Sequence, residues 1–440
     1  VSEGWLARLG LHRPELRAWA SYDWANSAFW ATVVQIFPVY FVSVAHADVP
    51  PAIASAHYAT ATTLAMIVIA VLSPILGAIA DYAGIKKKML AAFLALGVPA
   101  TAAMVAIGPG DWKLALVLYM LGNIGVAGTI VFYEALLPHI AREEEIHRVS
   151  TAGFALGYLG SGLLMAANLL MIQKPHLFGL PDSGTATRIA FLTVAVWWLV
   201  FSIPLFRGVR EPPRRLESDE RPGMAVLTVG FTRLRETFRE LRGYRQAVLF
   251  LGAFLIYNDG INTIIRMAAP YGTELGLPPG ALIGALLLVQ FVGIPFAFLF
   301  GAMAQWLGAK RSIFLGLAVY LGITVTGYTM RTMGHFMILA ILVGMVQGGT
   351  QALSRSLFAS MIPRHKSAEF FAFYGVFEKF ASIFGPALFA FMIATTGSSR
   401  HAILATAVFF LAGGALLTVV DVDEGRRQAR LAEQRAGLAP

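Results

Sequence analysis

Residues 57–88 read HYATATTLAMIVIAVLSPILGAIADYAGIKKK. From 57 to 80 there is no Asp, Glu, Lys or Arg. As an α-helix those 24 residues reach ~36 Å, enough to cross a hydrocarbon layer of about 30 Å. The run then breaks into Asp81, Gly84 and three consecutive lysines, Lys86, Lys87 and Lys88. An apolar helix that stops at a glycine turn and a knot of cations predicts a membrane span ending at the cytoplasmic surface.

The rest of the chain repeats that pattern. Of 440 residues 57% are hydrophobic and 13% charged, against about 25% charged in soluble domains. Lipid must replace water over much of the surface. Runs of sufficient length predict twelve spans: 18–44, 57–80, 89–108, 113–137, 148–172, 188–208, 246–270, 281–304, 312–330, 334–361, 369–394 and 401–420. The first segment is read as a span, not a cleaved signal peptide, because its apolar run is too long and lacks a processing site. With both termini cytoplasmic, inner segments and helix ends hold 26 of the 34 Lys and Arg residues. The net charge of +9 is therefore topological, and no nucleic-acid partner is expected. There is no cysteine, and no histidine cluster, so no metal and no cofactor is expected.

The expected fold is an all-α membrane protein of twelve transmembrane helices in two pseudo-symmetric six-helix bundles, 1–208 and 246–440, the second with a cytoplasmic tail. Between them, 209–245 is a hydrophilic linker. Its segment from Met224 to Tyr244 interleaves Val226, Val229, Leu234, Phe238 and Leu241 with Arg233, Arg235, Arg239 and Arg242. That pattern fits an amphipathic helix on the inner leaflet, or a mobile charged linker. The halves echo each other. Asp23-x-x-Asn26-Ser27 matches Asp259-x-x-Asn262-Thr263, and Gly77-x-x-x-Asp81-x-x-Gly84 matches Gly301-x-x-x-Gln305-x-x-Gly308. Spans four and ten end in Glu134-x-x-x-Pro138 and Ser356 to Pro363. Internal repeats of this kind belong to alternating-access transporters.

Ionisable residues inside spans are expensive in hydrocarbon and mark functional positions. Asp23, with Asn26 and Trp30 on its helical face, reads either as a cavity carboxylate or as a helix-end acid. Asp259, Asn262 and Arg266 share a face of span seven and read as cavity lining or as a structural network. Gln347, Gln351, Ser354 and Arg355 form a polar stripe on span ten. Arg355 is suited to hold a carboxylate or phosphate, or to form a gate ion pair with Glu134 or Glu378. Tyr374 stands one turn before Glu378 and is placed to hydrogen-bond it. Asp23, Asp259 and Glu378 are the candidates for a coupling proton. Gly77, Asp81, Gly84 and Lys86, with Gly301, Gln305, Gly308, Glu134 and Lys379, read as gating or structural residues. Lys86, Lys87 and Lys88 are expected among anionic headgroups. Asn123, Asn168 and Gln290 are expected to tie helices together, and Trp197, Trp198 and Phe409 to face lipid or its interface. No nucleotide-binding or hydrolase motif occurs, so the chain is not expected to be an enzyme.

On the six-plus-six pattern, the central loop and the Gly77–Lys88 segment, the whole chain resembles transporters of the major facilitator superfamily. It departs from the common loop pattern at Ile85, where a basic residue often stands, and at Gln305, which replaces the acid of the second copy. More narrowly it resembles the UMF1 family, related to the Atg22-like vacuolar amino-acid effluxers. The segments are Tyr22-Asp-Trp-Ala-Asn-Ser-Ala28, Phe37-Pro-Val-Tyr-Phe41, Val131 to Pro138, Asn258 to Asn262, Gly348 to Ser356 and Ala368 to Phe371. The resemblance implies export of small solutes, with amino acids the theme among eukaryotic relatives. The Ala-, Gly- and Arg-rich composition looks bacterial, so the inner membrane is the expected location. Three functions follow for comparison: a monomeric, proton-coupled transporter of a small zwitterionic or anionic solute; a transporter of an amphiphilic, lipid-like phosphate compound; and a non-transporting receptor or scaffold.

Overall fold

The chain was examined as a computed structural model, which describes residues 4–212, 243–274, 279–380, 384–396 and 398–436. The described residues form helices and short connections. They are α1 (Pro14–Ala45), α2 (Pro51–Ala83), α3 (Lys86–Ala106), α4 (Trp112–Ile140), α5 (Ile146–Gln173), α6 (Ser183–Gly208) and α7 (Arg245–Glu274). After them come α8 (Pro279–Trp306), α9 (Ala309–Thr329), α10 (Met333–Ser360), α11 (Ser367–Phe380), α12 (Phe384–Thr396), α13 (Ser399–Val419) and α14 (Val422–Arg435). Eleven of the helices among the described residues are long and apolar enough to cross a membrane. Within the expected span 369–394 the described residues form α11 and α12, and 381–383 between them lie outside the described residues. Of the linker, 213–242 lies outside the described residues, and with it nearly all of the expected amphipathic helix.

Local chemistry sets the helix ends. Pro14 occupies the first turn of α1 with Glu15 beside it, where a missing N–H costs nothing and a negative charge meets the positive end of the dipole. Asp182, Thr332 and Asp421 cap α6, α10 and α14 by accepting from the N–H of Thr185 (2.8 Å), His335 (3.3 Å) and Glu424 (3.0 Å). The cap holds the Asp182 carboxyl below the usual carboxylate range. Gly84 closes α2 with φ +62°, and Gly308 opens α9 with φ +83°. Both sequence-repeat positions thus need a left-handed residue, which glycine supplies without steric cost.

Packing follows the same repeat. α2 lies against α11, and α5 lies against α8 and α10. Gly77 sits where a Cβ would be 2.9 Å from the Ala368 carbonyl carbon, and Gly301 sits against Thr151 and Arg148 of α5. Small residues let the helix backbones approach where lipid supplies no hydrophobic drive. The largest apolar cluster gathers at the face where α1 starts and α14 lies, and joins residues from α1, α4, α5, α7, α10 and α11. This is called the terminal face below. A second cluster fills the space among α1, α3, α4 and α6. Trp198 there is fully buried, its indole N–H 3.3 Å from the Tyr22 hydroxyl, and Trp197 donates to the Trp24 carbonyl at 3.1 Å. The tryptophan pair expected at lipid is tied to α1 instead.

Candidate functional site

Near the terminal face four helices converge on one ion pair. Arg355 of α10 reaches Asp23 of α1 at 3.2 Å, and the two residues are 2% and 8% exposed. The Tyr133 hydroxyl of α4 donates to the same Asp23 oxygen at 2.8 Å. Arg355 Nε donates to the Ser150 hydroxyl and Nη2 to the Ser150 carbonyl on α5, both at 2.9 Å. The guanidinium carbon stands 4.6 Å from the Phe154 ring, 4.9 Å from Trp19 and 5.7 Å from Tyr133. Trp19 stacks on Tyr133 at 4.5 Å and donates to its carbonyl at 3.0 Å. Charge, directed donors and aromatic faces together compensate a guanidinium that water does not reach. Gly153 makes room for it, since a Cβ there would fall on the Asp23 carboxylate and 3.2 Å from Arg355 Nη2.

Further bonds between α1–α6 and the later helices line the same face. His147 pairs with Ser356 (2.8 Å), Ser150 donates to the Ala352 carbonyl (2.8 Å), and Ser367 donates to the Ala135 carbonyl (3.0 Å). Asp81, ion-paired with Lys86, accepts the N–H of Glu369 at 2.9 Å in the first turn of α11. Gln305, with its carboxamide oriented to accept, takes Arg148 Nη2 at 3.0 Å. The two repeat copies therefore both join neighbouring helices, one through a carboxylate and one through an amide. Lys86 and Lys87 do not lie among headgroups as expected. Lys86 is buried on Asp81, and Lys87 Nζ donates to the Phe206 and Val209 carbonyls at the end of α6. Carbonyls at a helix end have no intrahelical donor, and a lysine ammonium can satisfy them. Lys88 remains exposed.

Beyond the ion pair, away from the terminal face, lies a cavity of about 160 Å³. Its wall includes Ala31 of α1, and Gln347 of α10; each is eight residues, or about 12 Å, along its helix from the ion pair. Most of the wall is apolar, including Met165, Val343, Phe336 and Phe389. Polar groups are supplied by Gln35, Thr263, Gln290, Gln347 and Thr406. Gln290 Oε1 has no hydrogen-bond partner.

The expected pathway residues divide. Gln347 lines the cavity; Asp23, Asn26, Trp30, Asp259, Asn262, Arg266, Gln351, Arg355, Tyr374 and Glu378 do not. Arg355 pairs with Asp23 rather than Glu134 or Glu378, although the buried Glu134 stands within its field. Asn26 is buried, and Trp30 is half-buried edge-on to Phe29. Asp259 and Arg266 differ sharply in depth: Asp259 is 1% exposed, while Arg266 is exposed. Ser354 bonds Tyr257 of α7 at 2.6 Å. Tyr374 stacks between Phe254 (4.4 Å) and Phe358 (5.2 Å), with Glu134 and Glu378 both in reach of its charge environment. The Lys379 side chain lies outside the described residues. Sequence reasoning missed Tyr133, Ser150, Trp19 and Gly153 around the ion pair. It also gave Gln290 a tie between helices, whereas it faces the cavity. The available signal was its isolation as the one amide within the expected span 281–304.

The model of the family described as vacuole effluxer Atg22 like matches residues 51–430. The chain belongs to the Atg22-like family. It is also a member of the major facilitator superfamily. An uncharacterized major-facilitator-type transporter of Bacillus subtilis, YxiO, is 37% identical to this Atg22-like chain over 406 residues, which are 92% of the chain and 94% of YxiO. Autophagy-related protein 22 of Yarrowia lipolytica is 28% identical over 319 residues, 65% of the chain and 52% of that protein. The chain thus spans about half the length of that fungal relative. Among solved structures, a proton:xylose symporter, XylE, superposes with TM-score 0.69 at 13% identity, covering 99% of the chain and 100% of XylE. The fucose:proton symporter FucP of E. coli gives 0.66 at 13% identity, covering 93% and 98%. At that identity the likeness establishes the fold: an all-α, multi-spanning major-facilitator-like architecture. The Atg22-like chain is an integral membrane protein.

Proposed function

We propose that this chain is a secondary transporter that exports a small solute across a bacterial inner membrane by alternating access, with both termini cytoplasmic. The observation that carries the reading is the sequence of barrier and chamber along one axis: a buried ion pair braced by four helices, then a cavity. In this reading the Asp23–Arg355 pair is the cytoplasmic gate, and breaking it exposes the chamber to the other side. Its bundles are 1–208 and 246–440, joined by the 209–245 linker. The span that completes the count of twelve is 369–394, which holds α11 and α12. The chain works as a monomer.

The solute is a small zwitterionic or anionic compound, in the first instance an amino acid with an apolar side chain. The family theme supports the amino acid, and the apolar wall with its carboxamides supports the apolar body. Arg266, exposed between the lining residues Ile265 and Met267, is available to a carboxylate. The same apolar wall favours a second reading, an amphiphilic phosphate compound. Energy comes from a proton gradient. Counterflow in liposomes against amino acids, peptides and phospho-compounds tests the function. Saturable exchange of one class is the expected result, and no exchange of any solute sinks the reading. Gln290→Leu and Gln347→Leu should raise the KM for the active solute about tenfold.

A further inference from the structure

Asp259 sits in an unusual place. It is 1% exposed in the middle of α7, and its two carboxylate oxygens have different fates. Oδ1 accepts the backbone N–H of Gly385 at 2.9 Å, in the first turn of α12. Oδ2 is buried with no hydrogen-bond partner. α12 packs tightly on this point: a Cβ at Gly385 would stand 2.8 Å from Asp259 Oδ1 and collide with the Thr263 hydroxyl. Thr263, one turn along α7, donates to the Asp259 carbonyl at 2.7 Å and lines the cavity. Phe389, one turn beyond Gly385 on α12, lines it as well. A carboxyl with one open oxygen therefore links Gly385 of α12 to two residues of the cavity wall.

We propose that Asp259 is the proton-binding site that couples the ion gradient to the cavity, through its bond to Gly385 of α12. The inference rests on the transport reading and names the site of its coupling ion. As a carboxylate, Asp259 holds α12 by a charge-assisted bond from the Gly385 N–H. A proton on Oδ2 gives that oxygen a donor, removes the charge, and weakens the hold on α12, so that the wall formed by Phe389 is freed. Linkage then requires that solute binding alter proton affinity by the same factor. The other acids are engaged elsewhere: Asp23 is held by Arg355 and Tyr133. The ionisable groups of α7 and the elements packed on it are Arg245, Tyr257, Arg266, Tyr271 and Glu274 on α7, His335 and Arg355 on α10, Glu369, Tyr374, Glu378 and Lys379 on α11, Arg400 and His401 on α13, and, at the terminal face, the charged residues of α14. α8 and α12 carry none. The charge of Arg266 reaches Asp259.

The chain has no cysteine, so a spin-labelled pair, Glu144→Cys with Arg364→Cys, reports the terminal face uniquely. In nanodiscs without solute, moving from about pH 5 to about pH 8 should change the ratio of open to closed distances roughly tenfold. Asp259→Asn should reduce that change to less than about twofold, while Glu211→Gln should retain it. A full pH response in Asp259→Asn overturns the proposal, as does a response that follows sodium replacing choline at fixed pH. Should Asp259→Asn not fold, Asp259→Glu keeps a titratable acid on a longer arm and must move the midpoint of the response. An unmoved midpoint is equally fatal. Counterflow by the native protein is read separately. Its absence for every solute sinks the transport reading and leaves the titration to judge the proton site.

Discussion

At the scale of single residues, the Asp23–Arg355 pair is costly to break and cheap to remove whole. Both charges are buried, and each is satisfied largely by the other and by Tyr133 and Ser150. Asp23→Asn or Arg355→Met alone leaves an uncompensated buried charge, worth about 3–5 kcal/mol. The double variant should recover most of that loss in thermal unfolding, because the desolvation penalty disappears with the pair. Equal destabilisation by the double variant and the worse single would show that the two residues do not act as a unit. Gly153→Ala attacks the same pair by volume. Its methyl group meets Asp23, Trp19 and Arg355 together, and overpacking of this kind costs about 1–3 kcal/mol. The expected result is a lowered melting temperature together with increased labelling of a cysteine at Ser356. A Gly153→Ala protein with native melting and native labelling would contradict the geometry. None of this pairing was legible beforehand. The sequence marks Arg355 and Asp23 as unusual because charges in spans are rare. Which of several acids meets Arg355 depends on how helices 332 positions apart are rotated, and helical phase within one span carries no such information.

At the scale of elements, the repeat was legible because its physics is local. A residue that must adopt positive φ is read from a glycine at a fixed offset, and Gly84 and Gly308 both do so. Likewise an acid three residues before that glycine predicts a bond at a helix end, and Asp81 makes one, to the first turn of α11. Burial was not legible. Trp198 is wholly buried while the next residue, Leu199, is 49% exposed. Lipid is as apolar as a protein core, so hydropathy cannot separate the two faces of a span. Within the expected span 369–394, Glu369, Glu378 and Lys379 interrupt the apolar run, and residues 381–383 between α11 and α12 lie outside the described residues. Two predictions belong here. Gly84→Ala should cost about 1 kcal/mol through its left-handed backbone alone. Asp81→Ala should cost more, about 3 kcal/mol, because it removes a cap and strands the buried Lys86. Replacing Lys86 as well, by Met, should return part of it. Denaturation of the three variants in one detergent compares these values directly, and a Gly84→Ala effect larger than that of Asp81→Ala would reverse the assignment.

At the scale of the whole molecule, the terminal face is held by more than the ion pair. α14 lies across it and touches both sequence halves. Arg426 and Arg430 reach Glu143, in the connection between α4 and α5, at 3.5 and 3.4 Å. Glu433 accepts the backbone N–H of Arg364, after α10, at 2.8 Å. At its root Asp421 donates its N–H to Gln246 of α7 at 2.9 Å, and Gly425 packs on Met361. The helix is thus anchored on the later half and grips the earlier half through Glu143, with Arg426 also 3.5 Å from His147 Nε2. Exposed pairs of this kind contribute little individually, up to about 1 kcal/mol. A conformational equilibrium responds to small energies, however: about 1 kcal/mol shifts its populations roughly fivefold. Glu143→Gln should therefore leave the melting temperature almost unchanged and yet increase opening of the terminal face about fivefold, as read by the label pair at 144 and 364. High salt should mimic it in the native protein, since half-exposed charges are screened, and should add nothing in Glu143→Gln. If the variant and the native protein open equally and respond equally to salt, α14 packs against the face without restraining it.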